Sequence, residues 1–186
     1  MSVRIIFVRH GKTDWNKENK LQGRTDILLN KNGIEQVKKM ATELKKSNER
    51  PRQIISSPLI RAMQSAIIIS DILGIPVMAN KNLAERDFGS LEGKTWKEVI
   101  AICGPGFKEI DRKQQYDYRP YGGESAEQVG KRILDFIDYA SEEYGGKTII
   151  VVTHAGILRF MSFIFHKMGM DFYHDTKPGG CSIIEL

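Results

Sequence analysis

Cysteine is scarce: the 186 residues contain two, Cys103 and Cys181. A disulfide framework needs more, so a packed core has to hold the fold, and the thiols give no reason to expect an oxidising compartment. Long apolar runs are missing too. The longest, Gly156 to Phe165, is broken by Arg159 and falls short of the roughly 20 residues a bilayer span requires. Met1-Ser2-Val3-Arg4 leads straight into a short apolar strand ending at Arg9-His10, with neither the longer apolar stretch nor the small-residue cleavage site of a secretory signal. The expectation is a cytoplasmic chain with no membrane partner. Internal repeats and low-complexity segments are also lacking.

Several chemistries lack their residues. No G-x-x-x-x-G-K-[ST] loop is present, so a Walker-type phosphate cradle is excluded. Cys103 has no arginine six positions on, as a cysteine phosphatase loop would need. His10, His154, His166 and His174 are scattered, with no H-E-x-x-H and no i, i+4 pair, so no metal site or cofactor is expected.

What is present is ordinary for one soluble globular domain: 41% hydrophobic and 27% charged residues. The net charge of +5 favours anionic partners, either nucleic acid or small phosphorylated metabolites. No aromatic platform or reader motif supports the nucleic acid. Val3 to Val8 and Thr148 to Thr153 are apolar, β-branched runs of the kind that form central parallel strands covered on both faces. Gln53 to Ser56, Pro76 to Ala79 and Ser182 to Glu185 are shorter candidate strands.

Helices fall between them. Ile34, Val37, Ala41 and Leu44 recur at helical spacing. Ser57-Pro58 reads as a helix start and Gly74 as its stop. Thr95 with Glu98, and Ser125 with Gln128, have capping-box spacing. A last helix should follow Gly156. The alternation predicts an α/β three-layer sandwich with a mostly parallel central sheet flanked by helices. Residues 88–123 mix glycine, proline and charge, and are expected to fold over one end of the sheet as a lid or insertion within a single domain, 1–186.

In open α/β sheets ligands bind at the carboxyl ends of the strands. His10 follows the first strand and His154 a later one, each with small residues after it. Neighbouring strands would bring the two rings together. Arg9 adjoins His10, and Arg61 lies near the start of the helix after Ser56. Two guanidinium forks and a helix N-terminus can neutralise a phosphoryl group.

These residues occur within longer signatures. Arg9-His10-Gly11 is extended by Thr13, Trp15 and Asn16, and followed by Leu21-Gln22-Gly23. Then come Ser56-Ser57-Pro58-Leu59 with Arg61-Ala62 and Gln64, Glu85-Arg86-Asp87-Phe88-Gly89 with Glu92-Gly93, Gly122-Gly123-Glu124-Ser125, and Thr153-His154-Ala155-Gly156. In that order they cover nearly the whole chain, which resembles the histidine phosphatase superfamily in its phosphoglycerate-mutase-like branch. The resemblance implies that His10 is a nucleophile passing through phosphohistidine. Arg9, Arg61 and His154 would hold the phosphoryl oxygens, and Glu85 would be the general acid. Asn16, Gln22 and the amides of Gly23 and Ala155 would add hydrogen bonds. It also implies a metal-independent phosphatase for small phosphomonoester metabolites. The alternatives are a cofactor-dependent phosphoglycerate mutase and a catalytically silent phosphometabolite-binding protein. Arg112-Lys113 with Tyr116-Asp117 faintly resembles a mutase carboxylate segment. The short stretch between Glu85 and Glu124 favours hydrolysis. The natural substrate and the oligomeric state are left open.

Overall fold

The computed structural model describes residues 2–167 and 179–185. In chain order the regular elements are β1 (Arg4–Arg9), α1 (Asp14–Lys17), α2 (Lys31–Lys46), β2 (Pro51–Ser56), α3 (Ile60–Leu73), β3 (Val77–Ala79), α4 (Trp96–Cys103), α5 (Phe107–Arg112), α6 (Ala126–Tyr144), β4 (Thr148–Thr153), α7 (Ala155–Lys167) and β5 (Cys181–Glu185). The strands form one sheet in the order β3-β2-β4-β1-β5. Four are parallel, and β5 runs antiparallel along β1.

Side-chain alternation sets the layers. Ile5, Phe7, Ile149 and Val151 point to one face, where α6 and α7 deliver Ile133, Phe136, Leu158 and Phe165. Ile6, Val8, Ile150 and Val152 point to the other, against Val37 and Ala41 of α2 and Ala62 and Ile69 of α3. Because both faces are covered, β1 and β4 read as unbroken apolar runs. This is the expected three-layer sandwich.

Both predicted capping boxes form, Thr95 with Glu98 and Ser125 with Gln128. Gly74 ends α3 in the left-handed conformation, as its position suggested. The start of α3 differs from expectation: the helix begins at Ile60, without a side-chain cap, rather than at Ser57-Pro58. Ser57 is drawn into other contacts described below. Similarly, α7 starts at Ala155, two residues earlier than a helix following Gly156 would.

Residues 88–121 carry α4, α5 and two short 3-10 turns. Their cohesion comes from a separate apolar cluster of Phe88, Leu91, Val99, Phe107 and Tyr118, closed by Leu21 from the loop after α1. Arg86 lies over the Tyr118 ring at 4.4 Å, so a cation covers this cluster on one side. His174 lies outside the described residues.

Candidate active site

The register of β1 on β4 pairs Arg9 with Thr153, so the two strands end side by side. The next residue on each is histidine. The His10 amide donates to the Thr153 carbonyl at 3.1 Å, and the two imidazole centroids are 5.1 Å apart. β2 ends beside them, the Ser57 amide donating to Val152 at 2.9 Å.

His10 is 3% exposed, and its Nδ1 lies 2.7 Å from the Gly11 carbonyl oxygen. A carbonyl only accepts, so Nδ1 carries the hydrogen and Nε2 keeps its lone pair. Burial, then the charges of Arg61 and Arg9, hold the imidazole well below the usual histidine range; the Gly11 bond opposes them without prevailing. The ring is therefore neutral at physiological pH. The backbone here is crowded. A Cβ on Gly11 would strike the Gly33 carbonyl at the start of α2, so only glycine lets this turn approach that helix.

His154 is fully buried. Its Nε2 meets the Ser57 hydroxyl at 2.7 Å, and that hydroxyl also accepts the Leu59 amide at 3.3 Å. Ser57 thus holds a histidine instead of capping a helix. Burial, followed by the Arg61 charge, holds this ring well below the usual histidine range as well. Ser57→Ala is expected to leave His154 Nε2 buried and unpaired, at about 1–3 kcal/mol. A fall of several degrees in the thermal midpoint checks this, and an unchanged midpoint refutes it.

Arg61 is the largest fully buried side chain among the described residues. Its guanidinium donates to the carbonyls of Thr25 at 2.8 Å and Gly23 at 2.6 Å. Its Nε has no hydrogen-bond partner among the described residues. Burial lowers its pKa, while Glu85, Asp26 and Glu92 work the other way, and it remains a cation. None of these carboxylates forms an ion pair with it among the described residues.

Arg9, His10, Asn16, Gln22, Gly23, Arg61, Glu85 and Ala155 all line one small cavity. Asn16 Oδ1 accepts from the Thr13 amide and hydroxyl, both at 3.1 Å. That fixes the amide orientation and leaves Nδ2 as the free donor. His154 packs against His10 with its ring fully buried and is not among the residues lining the cavity. Every other site residue expected from sequence borders the cavity.

Glu85 is held from both ends. Its Oε1 accepts its neighbour's amide, Arg86 N, at 3.0 Å, and its Oε2 accepts Gly156 N, in the first turn of α7, at 3.1 Å. The Arg86 guanidinium turns away, to the Tyr116 carbonyl and the Tyr118 ring. A Cβ on Gly156 would overlap the Glu85 carboxylate. The backbone leading to Glu85 has every carbonyl occupied. Arg132 takes Asn82 and Ala84 at 2.6 and 2.7 Å, Thr153 Oγ1 takes Leu83 at 2.8 Å, and Arg24 Nε takes Glu85 at 2.7 Å. Glu124 binds both arginines, Arg132 at 3.0 Å and Arg24 at 3.1 Å.

Sequence reasoning missed Arg24 and Arg132, which lie 61 and 47 residues from Glu85 and follow no period. It also missed Lys20 and Arg159 on the cavity wall. Arg159 carried a usable signal, since it lies one helical turn after Ala155.

The sheet, the paired histidines and the buried arginine are the features against which known proteins can be compared. A family model described as the histidine phosphatase superfamily (branch 1) matches residues 5–186, and the chain belongs to that family. It is 36% identical over 83% of its length to a metal-independent phosphoserine phosphatase of Arabidopsis thaliana, spanning 65% of that protein. It is 33% identical over 83% of its length to phosphoglycerate mutase-like protein 4 of the same plant, spanning 67% of it. Among solved structures, Bacillus stearothermophilus YhfR superposes with a TM-score of 0.84 at 26% identity, covering 99% of this chain and 91% of its own.

Proposed function

We propose that the protein is a metal-independent phosphatase that hydrolyses small phosphomonoesters through a phosphohistidine at His10. The observation that carries this reading is the neutral His10 ring, its Nδ1 tied to Gly11, beside Arg61 and Arg9. Nε2 attacks phosphorus as the ester P–O bond breaks, and the Glu85 carboxyl gives its proton to the departing oxygen. Water then attacks phosphorus, Glu85 takes its proton, the P–N bond breaks and inorganic phosphate leaves. Arg61, Arg9, Asn16 Nδ2 and the Ala155 amide supply donors to the equatorial oxygens of the phosphoryl group in flight. Gln22 and Gly23 complete the wall, and His154, buried against His10, adds its charge-free ring to the same corner. Residues 88–123 act as the lid within a single domain. Glu92, which accepts the Arg24 and Thr25 amides at 2.8 and 2.9 Å, fastens that lid to the phosphate-side loop.

Purified protein should turn over p-nitrophenyl phosphate in EDTA and yield an acid-labile, base-stable phosphoenzyme on rapid quench. Failure to turn over, or turnover that requires added metal, overturns the reading. The mutase alternative is separable with 3-phosphoglycerate, with and without 2,3-bisphosphoglycerate. Of its carboxylate-like segment, Lys113 pairs with Glu109 and Asp117 with Arg119. Arg112 alone faces a groove, and this favours hydrolysis.

A further inference from the structure

The cavity at His10 offers about 140 Å³. Metabolite pockets commonly run to roughly 300–1,000 Å³, so this one takes a phosphoryl group and little of what it is attached to. The rest of a substrate must lie elsewhere. A groove of about 440 Å³ adjoins the cavity and shares two of its walls, Trp96 and Arg159.

The groove has a definite chemistry. Trp96, Ile100 and Phe107 give it an apolar side, with the Trp96 and Phe107 rings 6.5 Å apart and inclined by 31°. Lys108, Arg112 and Arg159 give it a cationic rim. The acid there, Asp111, is already engaged: its Oδ1 accepts the Tyr118 hydroxyl at 2.6 Å. Arg159 is exposed on α7, one turn beyond Ala155, and makes no hydrogen bond or ion pair among the described residues. A guanidinium standing between an anion cavity and an apolar groove, without a partner among the described residues, is placed to meet a ligand.

We propose that the groove holds the body of the substrate and that Arg159 is a specificity-determining residue. The substrate class is then a phosphomonoester with an apolar, ring-sized body that carries a second anionic group. This rests on the phosphatase reading and deepens it. Phosphoserine, which has no apolar body, leaves the groove unfilled and should be a poor substrate.

The test compares kcat/KM for phenyl phosphate, its 3- and 4-carboxy derivatives and phosphoserine. The wild type should favour at least one carboxylated ester over phenyl phosphate by about tenfold, the worth of one charge-assisted hydrogen bond. Phosphoserine should rank below all three. Arg159→Ala should bring the carboxylated-to-plain ratio towards one, through KM, and Arg159→Lys should restore part of it. A wild type without preference, or a ratio untouched by Arg159→Ala, overturns the subsite while leaving the phosphatase reading intact. Calorimetry with benzylphosphonate and its carboxy derivatives asks the same question without turnover. An Arg159-dependent preference in binding, with no hydrolysis of any ester, would keep the subsite and reject the phosphatase.

Discussion

His10→Ala should lower kcat for p-nitrophenyl phosphate by about four orders of magnitude or more and abolish the trapped phosphoenzyme. The neighbouring imidazole, His154, is fully buried with its Nε2 on the Ser57 hydroxyl, and is not expected to take over the attack. Circular dichroism should remain that of the wild type, since the sheet and both apolar layers do not involve this ring. The pH profile gives an independent check. The neutral ring is the reactive one, and its pKa is held well below the usual 6.5. Loss of activity through protonation of His10 should therefore begin on the acid side of pH 6.5. Residual wild-type-like turnover in the alanine variant, or an acid limb at or above pH 6.5 that shifts with substitutions at residue 10, would dismiss its role.

Glu124→Gln should be the most damaging isosteric change away from the cavity. Glu124 and Arg132 are mostly buried, with side chains 16% and 12% exposed. Removing one partner of such a pair leaves an uncompensated buried charge, at about 3–5 kcal/mol. For a chain of this size each kcal/mol is worth roughly 2–4 °C, so the thermal midpoint should fall by about 10 °C. Activity should suffer as well. Arg132 and Arg24 lose their shared anchor, the carbonyls from Asn82 to Glu85 loosen, and a general acid displaced by about 1 Å can cost up to 100-fold in kcat. KM should move far less, because neither arginine borders the cavity.

The pH dependence of stability follows from the same carboxylate. Burial raises its pKa, but the bond to Arg132, that cation's charge, the Asp87 amide and the Arg24 charge outweigh it, and the net effect is a lowering from 4.5. As pH falls through 4.5 the unfolded chain takes up the proton first, so the native state loses stability until the folded group is protonated too. Above that window the contribution is complete. Glu124→Gln should flatten the slope of unfolding free energy against pH below about 5, measured by denaturant titration; an unchanged slope would acquit this pair.

The elements legible in sequence are those whose order is local or periodic. β1 and β4 announce themselves as apolar runs because helices cover them on both faces, and their terminal histidines coincide because parallel strands in register end together. The capping boxes are three-residue spacings, and spacing survives in sequence. Ser57-Pro58 shows the limit of such cues. The dipeptide has the chemistry of a helix start, but tertiary demand from His154 engages the serine hydroxyl and delays the helix to Ile60. Residues 88–121 were opaque for a related reason. Their cluster needs Leu21 and the Arg86 cation, both from outside the segment, and nothing in its own pattern reveals them. The Arg24–Glu124–Arg132 clamp joins three distant stretches of chain, so no window along the sequence contains it.

The strand that carries His10 is held by two distant stretches of chain. Residue 4 pairs with residue 148 on one side and with residue 185 on the other. The Gly179 amide donates to the carbonyls of Arg9 and His10, and the Arg9 amide to Gly180. Local sequence around His10 therefore does not aim its ring; stretches of chain more than a hundred residues further along do.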